Sequence, residues 1–295
     1  MPQQLYRLKQ GVELIIGTPG RLVDLLTKHP IDLSDVCVLV LDEVDCMLEK
    51  GFRDEVMLVV RALSRPQVML FSATIPPSIE KLATSLLKRA VQVFVGGNNT
   101  DTHHDNSIVV SHAVKQTVIW VESNKKKTKL FDILKSGAHY RPPLVVFVSS
   151  RVGAELLAEA ICQVTGLKAE ALHGEKEMSE RRRVLGSFLM DELPIVVATG
   201  VLGRGLDLVK VKQVVVFDMP NSVEEYVHQI GRASRLGMPG SAIVFINNEN
   251  KGIFKSFVSL LQSSGVFVPK ELANSPYLHS SYAVAYHHKR QKKHK

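Results

Sequence analysis

The chain has 295 residues, 45% of them hydrophobic and 22% charged, enough apolar content for ordinary globular cores and enough length for two domains of about 100–200 residues. No apolar run approaches the roughly 20 residues of a membrane span, and the opening MPQQLYRLKQ lacks the apolar core of a signal peptide. Net charge is +8, from 37 Lys+Arg against 29 Asp+Glu, an excess that suits a polyanionic partner.

In chain order, short apolar runs alternate with helical patterns. Strands are predicted at 13–16, 36–41, 68–71 and 91–95, with helices at 21–27, 53–63 and 78–88 between them. The stretch GGNNTDTHHDNS, 96–107, is polar and rich in Gly and Asn and reads as a linker. After it, strands are predicted at 114–121, 144–148, 169–172, 195–198, 214–217 and 242–246. Helices are predicted at 125–134, 153–164, 179–189, 223–230 and 251–263, with Ser222 and Glu225 as a capping-box pair. Strands alternating with helices of this length imply βαβ units and parallel sheets. Three cysteines without CxxC spacing, Cys37, Cys46 and Cys162, point to a reducing compartment, nucleus or cytoplasm, and away from a disulfide framework or a zinc site. The basic stretch HHKRQKKHK, 287–295, reads as a solvated tail.

The first chemistry-bearing stretch is Asp42-Glu43-Val44-Asp45, directly after the apolar run 38–41. Ligands of open α/β sheets bind beyond the carboxyl ends of strands. A carboxylate there can hold Mg²⁺ through water while the ion bridges nucleotide phosphates, and a neighbour can orient an attacking water. This is a Walker B arrangement. Two other readings stay open on these residues alone. The acids can cap the following helix, where its dipole favours them. The same letters also form a protease cleavage sequence, which requires an exposed, flexible segment.

Further segments carry matching chemistry. Ser72-Ala73-Thr74 puts two hydroxyls at the next carboxyl edge. In VVATGVLGRGLDL, 196–208, Thr199, Gly200, Gly203 and Gly205 allow backbone amides to approach a phosphate, and Asp207 can accept from a ribose hydroxyl. In HQIGRASRLG, 228–237, Arg232 and Arg235 stand three residues apart, one helical turn, so both forks can meet one phosphoryl group.

Together and in this order, these segments resemble a DEAD-box ATP-dependent RNA helicase of superfamily 2. GTPGRL (17–22) is similar to motif Ib, Asp42–Asp45 to motif II and Ser72–Thr74 to motif III. VVFVSSR (145–151) is similar to motif IV, and HGEKEMSERR (173–182) to the motif that follows it. ATGVLGRGLD resembles motif V and HQIGRASR motif VI. The subgroup with an N-terminal HIT-type zinc finger, in its plant-type form with Val in motif II, is the nearest in flavour. The resemblance implies two RecA-like parallel-sheet α/β domains, the first incomplete and the second complete. It divides the chain into a partial ATP-binding domain (1–97), a linker (98–112), a helicase C-terminal domain (113–272) and a basic tail (273–295).

The resemblance also implies roles. Asp42 would hold Mg²⁺ through water, Glu43 would position the attacking water, and Asp45 would couple to Ser72 and Thr74. Gly205 and Asp207 would meet the nucleotide. Arg232 and Arg235 would be fingers on the γ-phosphate, and His228 would link motif VI to motif II. RNA phosphates would meet Thr18, Gly20, Arg21, Ser150, Arg151, Gly174, Arg181, Thr199 and Gly200. Such contacts carry no base information, so binding would be sequence-independent. The expected cofactors are ATP and Mg²⁺, and the expected state is a monomer that opens duplexes locally. Each role has a plainer rival. Arg21 can pair with Asp24, Arg181 can decorate a helix, His173 can be structural and Trp120 can be core.

Departures from the pattern are Val44 for Ala, Gln229 for the first Arg of motif VI, and Met178 for Gln. The sequence also contains no G-x-x-x-x-G-K-[ST] run and no Gly-Lys pair, so the loop that cradles phosphates in this family is missing. Only 16 residues precede motif Ib, and the reading therefore expects a chain that starts partway through its first domain. This polypeptide alone is then expected to hydrolyse ATP poorly, with a non-hydrolysing RNA- or partner-binding short form as the alternative.

Overall fold

The structure, a computed structural model, describes residues 2–29, 31–93, 113–200, 210–234 and 238–278. The chain divides into two compact units whose described parts are 2–93 and 113–278.

In the first unit, β1 (Val38–Leu41) and β2 (Gln67–Leu70) pair in parallel, with Leu41 opposite Leu70. The ladder extends at both ends: the Gln67 N–H donates to Cys37 O and the Phe71 N–H to Leu41 O, each at 2.8 Å. The helices are α1 (Pro2–Lys9), α2 (Pro19–Lys28), α3 (Val44–Glu49), α4 (Arg53–Arg61) and α5 (Pro77–Leu86). Its core is small, centred on Leu41, Val44, Val56, Ile79 and Leu82. The strands expected at 13–16 and 91–95 are not formed within the described residues. Leu14, Ile16, Val91 and Val93 lie exposed in irregular backbone. A strand exists only against a partner ladder, and among the described residues neither run has one. The six-residue helix α3 has little periodicity to announce it; its stop is marked by Gly51, whose φ of 81° suits a residue without Cβ.

The second unit holds a six-stranded, all-parallel sheet in the order β3-β8-β7-β4-β6-β5. Its strands are β3 (Val114–Trp120), β4 (Leu144–Val148), β5 (Ala169–Leu172), β6 (Ile195–Thr199), β7 (Gln213–Val216) and β8 (Gly240–Ile246). The helices are α6 (Lys126–Lys135), α7 (Arg151–Thr165), α8 (Met178–Leu189), α9 (Val223–Ile230), α10 (Phe254–Ser263) and the short α11 (Lys270–Ala273). Strand side chains alternate between two cores. Val145, Phe147, Val196, Val214 and Val244 pack with Val184, Phe188, Tyr226, Ile230 and Phe257 from α8, α9 and α10. Leu144, Val146, Ile195, Val197 and Phe245 pack with Leu130, Ile133, Leu157 and Ile161 from α6 and α7. Both faces are covered, which is why β4 and β6 read as continuous apolar runs rather than alternating ones. Trp120 packs against the first of these cores, its ring 6.1 Å from that of Phe254. Every predicted strand and helix of this half is present to within a few residues at each end.

Candidate functional site

In the first unit, β1 ends at Leu41 and the three acids follow at once. Asp42 is exposed one residue beyond the strand, and its Oδ1 accepts the Glu43 N–H at 2.9 Å. Glu43 stands at the entrance to α3 with φ 52° and ψ 49°, the left-handed region that non-glycine residues rarely occupy. Asp45, 6% exposed, lies in the first turn of α3. Its Oδ1 accepts the Cys46 N–H (2.9 Å). Its Oδ2 accepts both the Thr74 N–H (3.1 Å) and the Thr74 hydroxyl (2.9 Å). Thr74 is 3% exposed. Ser72 acts on the same turn differently: its hydroxyl donates to Thr74 O at 2.6 Å. The Val44 N–H donates to Phe71 O (3.1 Å) and adds a backbone tie between the two strand ends. Asp45 is thus a buried, multiply bonded carboxylate, which removes the protease-cleavage reading because cleavage needs an exposed, flexible segment.

Among the described residues no group of three His, Cys, Asp or Glu is placed to hold a metal ion. One exposed carboxylate at a strand end fits a magnesium ion gripped through water, the mode in which Mg²⁺ keeps most of its own hydration, and not an all-protein cage.

Thr18 sits at the N-cap position of α2 without a side-chain capping bond, with Pro19 in its first turn and Gly20 open to solvent on the side a Cβ would occupy. Arg21 follows, its guanidinium divided between Asp24 Oδ2 (3.0 Å) and Gln4 Oε1 of α1 (2.5 and 3.2 Å). The plainer rival for Arg21, pairing with Asp24, is therefore realised. The Lys28 ammonium, with Arg21 behind it, holds the Asp24 carboxyl below the usual range.

In the second unit, the residues expected to meet RNA gather along one edge. β4, β6 and β5 are adjacent in the sheet. Ser150 and Arg151 follow β4, Gly174 follows β5, and Thr199 and Gly200 close β6. Ser150 caps α7, its hydroxyl accepting the Gly153 N–H at 3.0 Å. Arg151 pairs with Glu175 of the loop after β5. That loop is pinned from below. Glu155 Oε1 lies 2.9 Å from both His173 Nε2 and Lys176 Nζ, and Lys176 also reaches Glu180 at 2.6 Å. Burial raises the Glu155 carboxyl, but its bonds to Lys176 and His173 outweigh burial and hold it low. Arg181 is half-buried on α8, beside exposed Arg182 and Arg183, and Arg183 forks onto Glu170 at 2.5 and 3.1 Å.

His228 and Arg232 are both buried at the end of α9, where Arg232 Nε donates to His228 O at 3.4 Å. The expected one-turn spacing of Arg232 and Arg235 falls on a residue, Arg235, outside the described residues. α9 stops at Ile230, residues 231–233 form a 3₁₀ turn, and Ser234 is extended with φ −135° and ψ 114°. Arg235, like Gly205 and Asp207, lies outside the described residues.

The sequence reading missed Glu155 and Lys176 as supports of the edge. The Lys176–Glu180 spacing of four was a usable helix-face signal. No local pattern marks Glu155 opposite His173, 18 residues away.

The DEAD/DEAH box helicase family matches residues 1–82, and the helicase conserved C-terminal domain matches residues 125–237. The chain is 56% identical over 277 residues to DEAD-box ATP-dependent RNA helicase 41 of Oryza sativa subsp. japonica, covering 94% of this chain and 50% of the relative. It is 45% identical over 280 residues to the probable ATP-dependent RNA helicase DDX59 of Homo sapiens, covering 95% and 44%. It thus spans about half the length of these curated relatives. Among solved structures it is similar to S. cerevisiae Dbp5 bound to RNA and ADP BeF3, with TM-score 0.69, 27% identity and coverage of 86% and 64%. It also resembles the yeast DEAD-box splicing factor Prp28, with TM-score 0.54, 27% identity and coverage of 95% and 61%.

Proposed function

This chain belongs to the DEAD-box helicase family, and from that premise we propose that it serves an ATP-dependent RNA helicase that opens duplexes locally. The observation that carries the reading is the Asp45–Thr74 contact. A buried carboxylate receives two donors from the end of the neighbouring strand, directly beside the exposed Asp42 and the strained Glu43. Its proposed work is to hold the ends of β1 and β2 in one register, so that a change at one is felt at the other.

In this reading Asp42 would hold Mg²⁺ through water, and the ion, when bound, would supply positive charge against the nucleotide phosphates. Glu43 accepts a hydrogen bond from the attacking water and orients it. Arg232, and Arg235 after it, place guanidinium charge against the phosphoryl group as its charge grows. Gly205 and Asp207 meet the ribose side of the nucleotide. RNA is held through its phosphates. Thr18, Gly20 and Arg21 contribute on the first unit, and Ser150, Arg151, Gly174, Arg181, Thr199 and Gly200 on the second. Recognition is therefore independent of sequence and falls steeply with salt. No helix among the described residues is long and apolar enough to cross a membrane. We place the protein as a monomer in a reducing compartment, nucleus or cytoplasm.

A second reading is favoured by one fact of the sequence: these 295 residues contain no G-x-x-x-x-G-K-[ST] loop. We propose that this polypeptide, taken alone, binds RNA without appreciable hydrolysis. Phosphate release by the purified chain, with and without single-stranded RNA, tests both readings when paired with fluorescence anisotropy. The expected result is salt-dependent RNA binding with no RNA-stimulated phosphate release. Clear RNA-stimulated release would overturn the second reading, and absence of RNA binding would overturn both.

A further inference from the structure

Gln229 stands where the family resemblance leads one to expect arginine, and it is 3% exposed. Its Nε2 donates to Glu225 Oε1, one turn back on α9, at 3.3 Å. Its Oε1 is buried and has no partner among the described residues. The amide orientation follows from chemistry: a carboxylate only accepts, so the NH₂ end faces Glu225 and the oxygen is left over. A buried, unpaired amide oxygen is costly and calls for an explanation.

The neighbour supplies one. A Cβ built on Gly200 collides with Glu225 Oε1 and comes within 4.0 Å of Gln229 Nε2. The carboxylate held by Gln229 therefore lies directly against the backbone at the end of β6, at a distance only glycine permits. Gly200 and Thr199 close the strand whose edge is proposed to meet RNA phosphates. Arg232, proposed to meet the nucleotide, follows Gln229 by three residues on the same α9–3₁₀ segment.

We propose that Glu225 and Gln229 are a positioning pair that seats the Gly200 backbone, and so sets the RNA-phosphate contact made by Thr199 and Gly200. Gln229 is retained for its donor, and the stranded oxygen is the cost of placing that donor there. The same helix end carries Arg232, so the seat ties the RNA edge of the second unit to its nucleotide arginine. The geometry stands on its own; the consequence rests on the RNA-binding reading above.

The test uses the 295-residue chain. Gln229→Leu keeps the volume, removes the donor to Glu225 and removes the unpaired oxygen. Its thermal midpoint is expected to equal or exceed that of the unsubstituted chain. Its affinity for a fluorescein-labelled oligouridylate is expected to fall roughly tenfold, the worth of one hydrogen bond to a charged acceptor. Hydrogen exchange at the Gly200 amide is expected to quicken in Gln229→Leu and in Glu225→Ala, and to stay slow in Glu225→Gln, which keeps an acceptor for the Gln229 amide. Gly200→Ala displaces the carboxylate, so combining it with Glu225→Ala is expected to weaken RNA binding no further than Gly200→Ala alone. Unchanged RNA affinity and unchanged Gly200 exchange in Gln229→Leu would overturn the proposal. So would a loss of binding that only tracks a loss of folding. If the unsubstituted chain binds no RNA, the RNA-binding reading fails, and Gly200 exchange alone decides whether the seat exists.

Discussion

Replacing Thr74 by valine removes one hydroxyl and keeps the shape of the side chain. That hydroxyl donates to Asp45 Oδ2 at 2.9 Å, and the Thr74 N–H, at 3.1 Å, remains to the same oxygen. Both residues are buried, so water cannot substitute for the lost donor. A hydrogen bond to a charged group contributes about 1.5–3 kcal/mol, and its loss leaves the carboxylate short of a partner. The first unit is where the effect belongs, since its core is only the small cluster around Leu41, Val44, Val56, Ile79 and Leu82. Trp120, the chain's single tryptophan, lies in the second unit, so its fluorescence reports that unit and not this one. Hydrogen exchange is the suitable assay. Amides of β2 and the 71–74 turn are expected to exchange roughly ten- to hundredfold faster in Thr74→Val, the range that energy implies. The Trp120 unfolding transition should not move. Unchanged exchange at the Thr74 amide would refute the claim that this hydroxyl holds the strand ends in register.

Two further outcomes follow from the second unit. Glu170, held low by its bond to Arg183, and Glu155, held low by Lys176 and His173 against burial, have folded-state values below their ordinary 4.5. A depressed carboxyl stabilises the fold above its unfolded value and loses that contribution as pH falls through its folded value. The urea midpoint read by Trp120 fluorescence is therefore expected to fall with pH below about 4.5, and Glu170→Gln should flatten that fall; an equally steep fall in the variant would refute the assignment. Gly240→Ala places a Cβ into the Ala233 carbonyl, a backbone atom that no side-chain rotation can move away. The expected loss is about 1–3 kcal/mol or more, seen as an earlier Trp120 transition, and a wild-type midpoint would show that the 3₁₀ turn at 231–233 is free to shift.

The second unit was legible in the sequence because its inner strands β4, β6 and β7 are buried on both faces. Runs such as Leu144–Val148 and 195–198 are apolar throughout, and helices with apolar faces separate them. The first unit was less legible for the same physical reason turned around. Residues 13–16 and 91–93 have strand-like composition, yet composition cannot supply a ladder partner, and these residues lie exposed. Of the candidate site, what depends on local order was visible: acids after a strand and glycine at 200. What depends on distant contacts was visible only where the family resemblance supplied it: Asp45 meets Thr74 across 29 residues as the resemblance implied, whereas Glu155 meets His173 across 18 with nothing local to announce it.

Glu43 gives the acidic stretch its physical sense. A left-handed backbone at a non-glycine residue costs about 1–2 kcal/mol, and α3 could begin without it. The conformation is held from both sides. Asp42 Oδ1 takes the Glu43 N–H, while Glu43 O receives the Met47 N–H that opens the helix. Val44, buried to 1% exposure, anchors the next residue and donates to Phe71 O. Asp45 then fixes the turn through Thr74. Acids that merely capped a helix would need neither the strain nor the burial, since an exposed carboxylate in the first turn serves the dipole equally well. The strain is better explained by what it achieves. It turns the chain sharply at the strand end, leaving Asp42 exposed and Asp45 inward on Thr74, the arrangement that the ion and water sites proposed above would require.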